Sequence, residues 1–270
     1  MAAVPALSNN ISVTKVVLTG RDISAGPNNA SNFVYVKFNI GWDNSWRTSS
    51  APNNWDAAWV FVKYKVGSGD WQHATLSTNS ADDVAATGST ITPSTDGKGV
   101  YIYRSSDGTG NVDFTGTQLR WNYGQDGVAD TAGVIVRVFA IEMVYVPTGS
   151  FYLGSGGWAD SAVSAFYRYT SDGYARTPFL VSSENALSII ASPDSLWYAY
   201  NGGNSGDDGI VNATVPATFP KGYAAFYCMK YDITQEQYVD FLNALTYTQQ
   251  VSRTAVAPSS SSGTAALTPH

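Results

Sequence analysis

One cysteine, Cys228, stands among 270 residues, which excludes an internal disulfide framework. Histidine is nearly as scarce: His73 and His270 are the two, and neither an H-x-H nor a C-x-x-C spacing occurs. A zinc or copper site of clustered thiolates and imidazoles is therefore excluded within the chain itself. A Ser-His-Asp arrangement would have to rest on His73, which falls in a hairpin and reads as a structural surface histidine. Glutamate is limited to Glu142, Glu184 and Glu236. Glu236 lies at a helix start, where a carboxylate complements the dipole. Charged residues make up 13% of the chain, against about 25% in ordinary soluble domains. The balance is −6, with a pI near 4.7, and no Lys/Arg cluster suited to tracking phosphates exists. Nucleic acid is thus not an expected partner. No apolar run approaches the 18 or so residues of a membrane span. The opening Met1-Ala-Ala-Val-Pro5 lacks the charged and apolar regions of a signal peptide, and the expectation is that such a signal has been removed.

What the chain has in quantity is aromatic and turn-forming residues: 17 Tyr, 8 Trp and 25 Gly, with abundant Ser, Thr and Asn. Tyr and Trp suit the half-buried faces of sheets, and Gly and Asn suit tight turns. This texture predicts an extracellular or cell-surface β protein. Strand patterns follow one another: Ile11–Leu18, Phe33–Trp42, Ala57–Val66, Trp71–Leu76, a short one near Ile91, Gly99–Arg104, Val112–Trp121 and Val134–Val146. Turn-rich segments separate them, among them Gly67-Ser-Gly-Asp70 and Asp107-Gly-Thr-Gly110. Seven or eight strands without a helical period predict an antiparallel β-sandwich over residues 1–146. Asp43 to Asn54 reads as a loop bounded by Trp46 and Trp55.

Beyond Gly154 the pattern thins. Residues 155–220 read as an ordered loop insertion with one short helix near Ser183–Ile190. Helical order returns at Thr234, which with Gln237 fits a capping box. Tyr238, Phe241, Leu242 and Leu245 then recur at i, i+3, i+4 and i+7, an apolar face that needs a sheet or a partner to cover it. Before the cap, Phe226 and Cys228 alternate as in a half-buried strand, with Cys228 expected in the core. The tail, Val251 to His270, is Ser/Thr/Ala-rich and of low complexity from Ser259 to Ser262.

Two motifs carry a resemblance. Met143-Val-Tyr-Val-Pro-Thr-Gly-Ser-Phe-Tyr-Leu-Gly-Ser155, and the strand–Asp-Ile-Thr–helix run from Ala225 to Leu245, together resemble the opening of the formylglycine-generating enzyme (sulfatase-modifying factor) domain, a variant of the C-type-lectin fold. Leu153 stands where that family usually has Met. The resemblance covers about residues 141–250, the first part of such a domain. It implies a fold that is mainly β overall, with a partial α+β domain over residues 147–270 behind the sandwich. The family's catalytic cysteines lie near the far end of its domain, and nothing here aligns with them.

Other candidates are weaker signals. Asp194, Asp207 and Asp208 offer loop oxygens to calcium, though Asp/Gly runs are also ordinary turns. No other cofactor is expected. Trp46 and Trp55, beside Arg47 and several Asn, suit stacking on a sugar or a neighbouring subunit, or capping of the sandwich end. Asn10, Asn29 and Asn212 stand in N-x-S/T sequons. Thr131, Ser161 and Ser195 follow Asp in short triplets that resemble an O-glycosylation signal of exported bacterial proteins. The expected function is a non-catalytic surface or extracellular interaction protein, self-associating or binding other surface components through Tyr238, Phe241, Leu242 and Leu245. A fragment of a metal-dependent thiol oxidase and a carbohydrate-binding adhesin are the alternatives.

Overall fold

The computed structural model describes residues 10–154, 165–169, 177–199 and 212–261. It is mainly β, with antiparallel sheets, in two compact units. The first comprises residues up to Tyr145 together with the segment from Cys228 onward, and the second runs from Val146 to Tyr227.

In the first unit, β1 (Ser12–Asp22), β2 (Phe33–Arg47) and β3 (Trp55–Val66) precede β4 (Gln72–His73), β5 (Ser89–Pro93) and β6 (Val100–Arg104). Next come β7 (Gly108–Trp121) and β8 (Val134–Val146). Strand β2 lies between β1 and β7, whereas β3 pairs with β8 on one edge and with β6 and β4 on the other. Beyond β6 lies β5. The two layers meet at a corner where Arg47 pairs with Trp55.

Alternation of side chains explains why these layers close on each other. Val34, Val36, Phe38, Ile40 and Trp42 of β2 face inward, as do Ala58, Val60, Val62 and Tyr64 of β3. Val100 and Ile102 of β6 and Leu119 and Trp121 of β7 complete the same core. Strict alternation would not bury both Phe114 and Thr117. A register shift opposite Phe38 and Ile40 corrects the phase, and Asn39 Oδ1 accepts the Gly116 N–H at 2.9 Å. Gly116 takes φ 78° there, which suits a residue without Cβ.

Several strand limits differ from the sequence pattern. Strand β2 runs on to Arg47, so Trp46 and Trp55 lie on strands and the loop between is short. A second register shift between Trp42 and Ser45, with Asn44 at φ 53°, turns the chain at that corner. The expected Trp71–Leu76 strand shrinks to the two residues of β4, because Ala74 and Leu76 turn away to join the core. Strand β8 spans Val134–Val146, as its continuous β-branched and aromatic run indicates.

The second unit contains β9 (Phe151–Leu153), β10 (Ala165–Arg168), β11 (Phe179–Val181), β12 (Leu187–Ile189), β13 (Leu196–Ala199) and β14 (Ala213–Val215). Strands β9 and β11 form a pair, and the others form a sheet in the order β10-β13-β12-β14. The helix expected near Ser183–Ile190 is therefore not formed. Leu187–Ile189 pairs with Ala213–Val215 instead, which puts Ile189 in the interior. Glu184 fastens this unit's loops by accepting the N–H groups of Lys221 and Ala224 at 2.6 and 2.8 Å. Those two backbone donors hold its carboxyl below the usual range.

Strand β15 (Phe226–Met229) pairs with β8 and leads to α1 (Gln235–Asn243) and α2 (Tyr247–Val251). The capping box expected at Thr234 is present: its hydroxyl accepts the Gln237 N–H at 3.1 Å, and Gln237 Oε1 accepts the Thr234 N–H at 3.0 Å. A second box, Thr246 with Gln249, starts α2, a helix the sequence pattern did not suggest.

Candidate interaction site

The corner of the first unit holds its most polar interior. Asp56 starts the inward row of β3 and is fully buried. Trp42 Nε1 and Ser45 Oγ donate to its carboxylate at 2.8 Å each, and the Trp46 N–H donates at 3.0 Å. Glu142 sits opposite Ala58 in the β3–β8 register and is also buried. Between the two carboxylates stands Lys230, immediately after β15, with Nζ 3.0 Å from Asp56 Oδ2 and 3.6 Å from Glu142 Oε2. Its side chain is 9% exposed and lies over the Trp46 ring at 4.6 Å. The Lys230 N–H donates to the Glu142 carbonyl at 3.0 Å. A lysine from the C-terminal segment thus neutralises two buried acids of the sandwich, a pairing that costs desolvation and fixes geometry.

The two tryptophans singled out from sequence are spent on this same corner. The Trp55 ring stacks on Tyr145 at 3.9 Å and on Tyr103 at 5.4 Å, with the Arg47 guanidinium 5.1 Å from its centre. Trp46 Nε1 donates to Asn54 Oδ1 at 3.2 Å.

Lys230 being inward puts its sequence neighbours outward. Met229 and Tyr231 are exposed, and Ile233 follows. On α1, Leu242 is buried, Tyr238 and Leu245 are half-buried, and Phe241 is 41% exposed while its ring meets that of Tyr238 at 5.8 Å. The expected four-residue face is therefore split: Leu242 packs inward, and Phe241 turns to solvent with Val239. Tyr247 and Val251 of α2 are exposed too. Lys63 Nζ donates to the Ala244 carbonyl, tying the end of α1 to β3. Burial holds the Lys63 ammonium below its ordinary pKa.

Cys228 is exposed, contrary to the core position expected for it. In β15 it is Tyr227, one residue earlier, that is half-buried, so the alternation runs in the opposite phase. His73 is half-buried, not a free surface residue: it stacks on Phe61, a ring nitrogen lies 2.5 Å from the Lys98 carbonyl, and burial lowers its pKa.

Of the calcium candidates, Asp207 and Asp208 lie outside the described residues. Asp194 sits at φ 64°, exposed, 3.3 Å from Arg168 Nη1. Among the described residues no three His, Cys, Asp or Glu groups gather as a metal site would require. Asn10, Asn29, Asn212 and Thr131 are exposed and Ser195 is half-buried. Ser161 lies outside the described residues. The Asn29 amide is engaged at both ends, donating to the Ala25 carbonyl and accepting the Ser31 N–H.

A second feature, which sequence reasoning did not find, is a cavity of about 320 Å³ between the end of β1 and the segment entering β8. Trp121 and Tyr123 contribute to its walls, and Arg21 and Asp130 to its polar part. The Asp130 carboxylate accepts from the Asn28 N–H at 2.7 Å, Tyr123 Oη at 2.8 Å and Asn32 Nδ2 at 3.0 Å. Those bonds hold its carboxyl below the usual range, and burial followed by the bond to Asp130 pushes Tyr123 up to about 12.

By fold and site the chain is a mainly β protein with a buried charged corner and an exposed apolar C-terminal segment. Compared with protein-family models, curated proteins and solved structures, it matches none.

Proposed function

We propose that the chain is an exported surface or extracellular interaction module that works without catalysis and assembles with further copies of itself through its C-terminal segment. The observation that carries this reading is the run of exposed apolar side chains at Met229, Tyr231, Ile233, Val239, Phe241, Tyr247 and Val251. Each is a large side chain held in water, and such runs commonly mark surfaces that bind a partner. The segment presenting them is anchored by Lys230 and Leu242, so it is displayed on a fixed base. The sparse charge and the resemblance of residues 141–250 to the opening of a formylglycine-generating-enzyme domain agree with a secreted scaffold put to structural use.

Thiol oxidation of that family's type is less well supported, since Cys228 is the one thiol in the sequence. Sugar stacking on Trp46 and Trp55 is weakened by the internal contacts both rings already make. Size-exclusion chromatography with light scattering tests the proposal. The wild type should run above its 28.8 kDa monomer mass, and Phe241→Asp should shift it towards monomer. A wild-type monomer whose mass and solubility ignore that substitution would refute it.

A further inference from the structure

The cavity beside β1 combines an apolar interior with a guanidinium that forms no salt bridge among the described residues. Leu18, Val34, Val128, Ala132 and Val134 supply aliphatic walls. Val34 and Val128 belong to the buried core, so these walls are set by the packing of the unit. Arg21 lines the same cavity, and its Nη1 donates to the backbone carbonyl of Asp130. The Asp130 carboxylate lies within the field of Arg21 but makes no salt bridge with it, its oxygens being turned to Asn28, Asn32 and Tyr123. None of the ion pairs among the described residues includes Arg21. A guanidinium keeps its charge at any ordinary pH and offers paired donors that match a carboxylate.

We infer that this cavity binds a small amphipathic carboxylate, its aliphatic or aryl body among the apolar walls and its anionic end on Arg21. A volume of about 320 Å³ falls at the small end of the roughly 300–1,000 Å³ typical of small-ligand pockets, which suits a compact ligand such as a medium-chain fatty acid or an aryl-alkanoic acid. Apolar burial supplies the affinity, and the guanidinium selects the charged end group.

Octanoate, below its micellar concentration, is the probe, titrated by calorimetry and by amide chemical shifts. Octanol carries the same body without the charge, and acetate the charge without the body. Wild-type protein should bind octanoate saturably at one site, octanol at least tenfold more weakly, and acetate not measurably. Arg21→Gln should bring octanoate down to the affinity of octanol. Ala132→Leu, which fills the cavity, should weaken both at least tenfold, and Val134→Phe serves the same purpose if a thermal melt shows Ala132→Leu unfolded. The inference fails if octanoate does not saturate, if octanol binds as tightly, or if octanoate binding ignores either the charge or the filling substitution. Repeating the titration on Phe241→Asp separates this result from self-association, since Phe241 is not among the residues that line the cavity.

Discussion

Replacing Lys230 by methionine removes the ammonium that lies 3.0 Å from Asp56 and 3.6 Å from Glu142, while keeping most of the apolar stem. The Asp56 side chain is fully buried and that of Glu142 is 7% exposed, so water cannot take over the lost neutralisation without opening the corner. Breaking a buried pair from one side costs roughly 3–5 kcal/mol, because a charge is left uncompensated in the interior. Asp56 keeps its three bonds from Trp42, Ser45 and Trp46, which places the expectation for Lys230→Met near the lower end, about 3 kcal/mol. At roughly 2–4 °C per kcal/mol for a domain of this size, the first unit should melt roughly 6–12 °C lower. Calorimetry gives the shift, and tryptophan fluorescence localises it, since Trp42 and Trp46 both touch the cluster. The triple variant Lys230→Met, Asp56→Asn, Glu142→Gln removes all three charges and should recover much of the loss. A single variant within about 1 kcal/mol of wild type, or a triple variant less stable than the single, would refute the account of Lys230 as the neutralising group.

Asp83 carries a pH dependence. Burial raises its carboxyl from 3.8 to about 7, and its Oδ2 is buried without a hydrogen-bond partner. A raised carboxyl favours the protonated folded form, so its contribution is fully present at pH below about 4 and is lost as pH climbs to about 7 and beyond. That loss, on the order of 2–4 kcal/mol, should be absent in Asp83→Asn when denaturation midpoints are compared across pH. Gly124→Ala would drive a methyl group into the Asn29 carbonyl and should destabilise the loops around Asp130 by roughly 1–3 kcal/mol, read by chemical denaturation; an unchanged midpoint would mean that the Asn28–Asn32 loop can shift freely. A chain ending at Val146 should give a β-type circular dichroism spectrum but melt below the full chain, because it lacks Lys230; equal melting temperatures would show that the C-terminal segment adds nothing to the sandwich.

The strand content was legible because each layer of the sandwich has one wet and one dry face, and residues such as Val34, Val36 and Phe38 mark the dry one by simple alternation. Helix α1 was legible because Thr234 and Gln237 satisfy each other's backbone groups locally, with no need of distant partners. Other features depend on contacts between residues far apart in the chain. Leu187–Ile189 has no strong period of its own and becomes a strand because Ala213–Val215 and the start of β13 offer it edges. Cys228 and Tyr227 differ in burial through the phase in which β15 meets β8, which three or four residues cannot encode. The charged corner left one trace, Asp56 and Glu142 standing in the otherwise apolar inward rows of β3 and β8, but the compensating Lys230 lies 174 residues from Asp56. Composition and alternation thus determined by themselves that this chain is a mainly β protein with a capped helix near its end. Only the tertiary structure decided which lysine neutralises the buried acids, which face of α1 meets water and where the cavity beside Arg21 opens, since each depends on how strands distant in sequence are placed side by side.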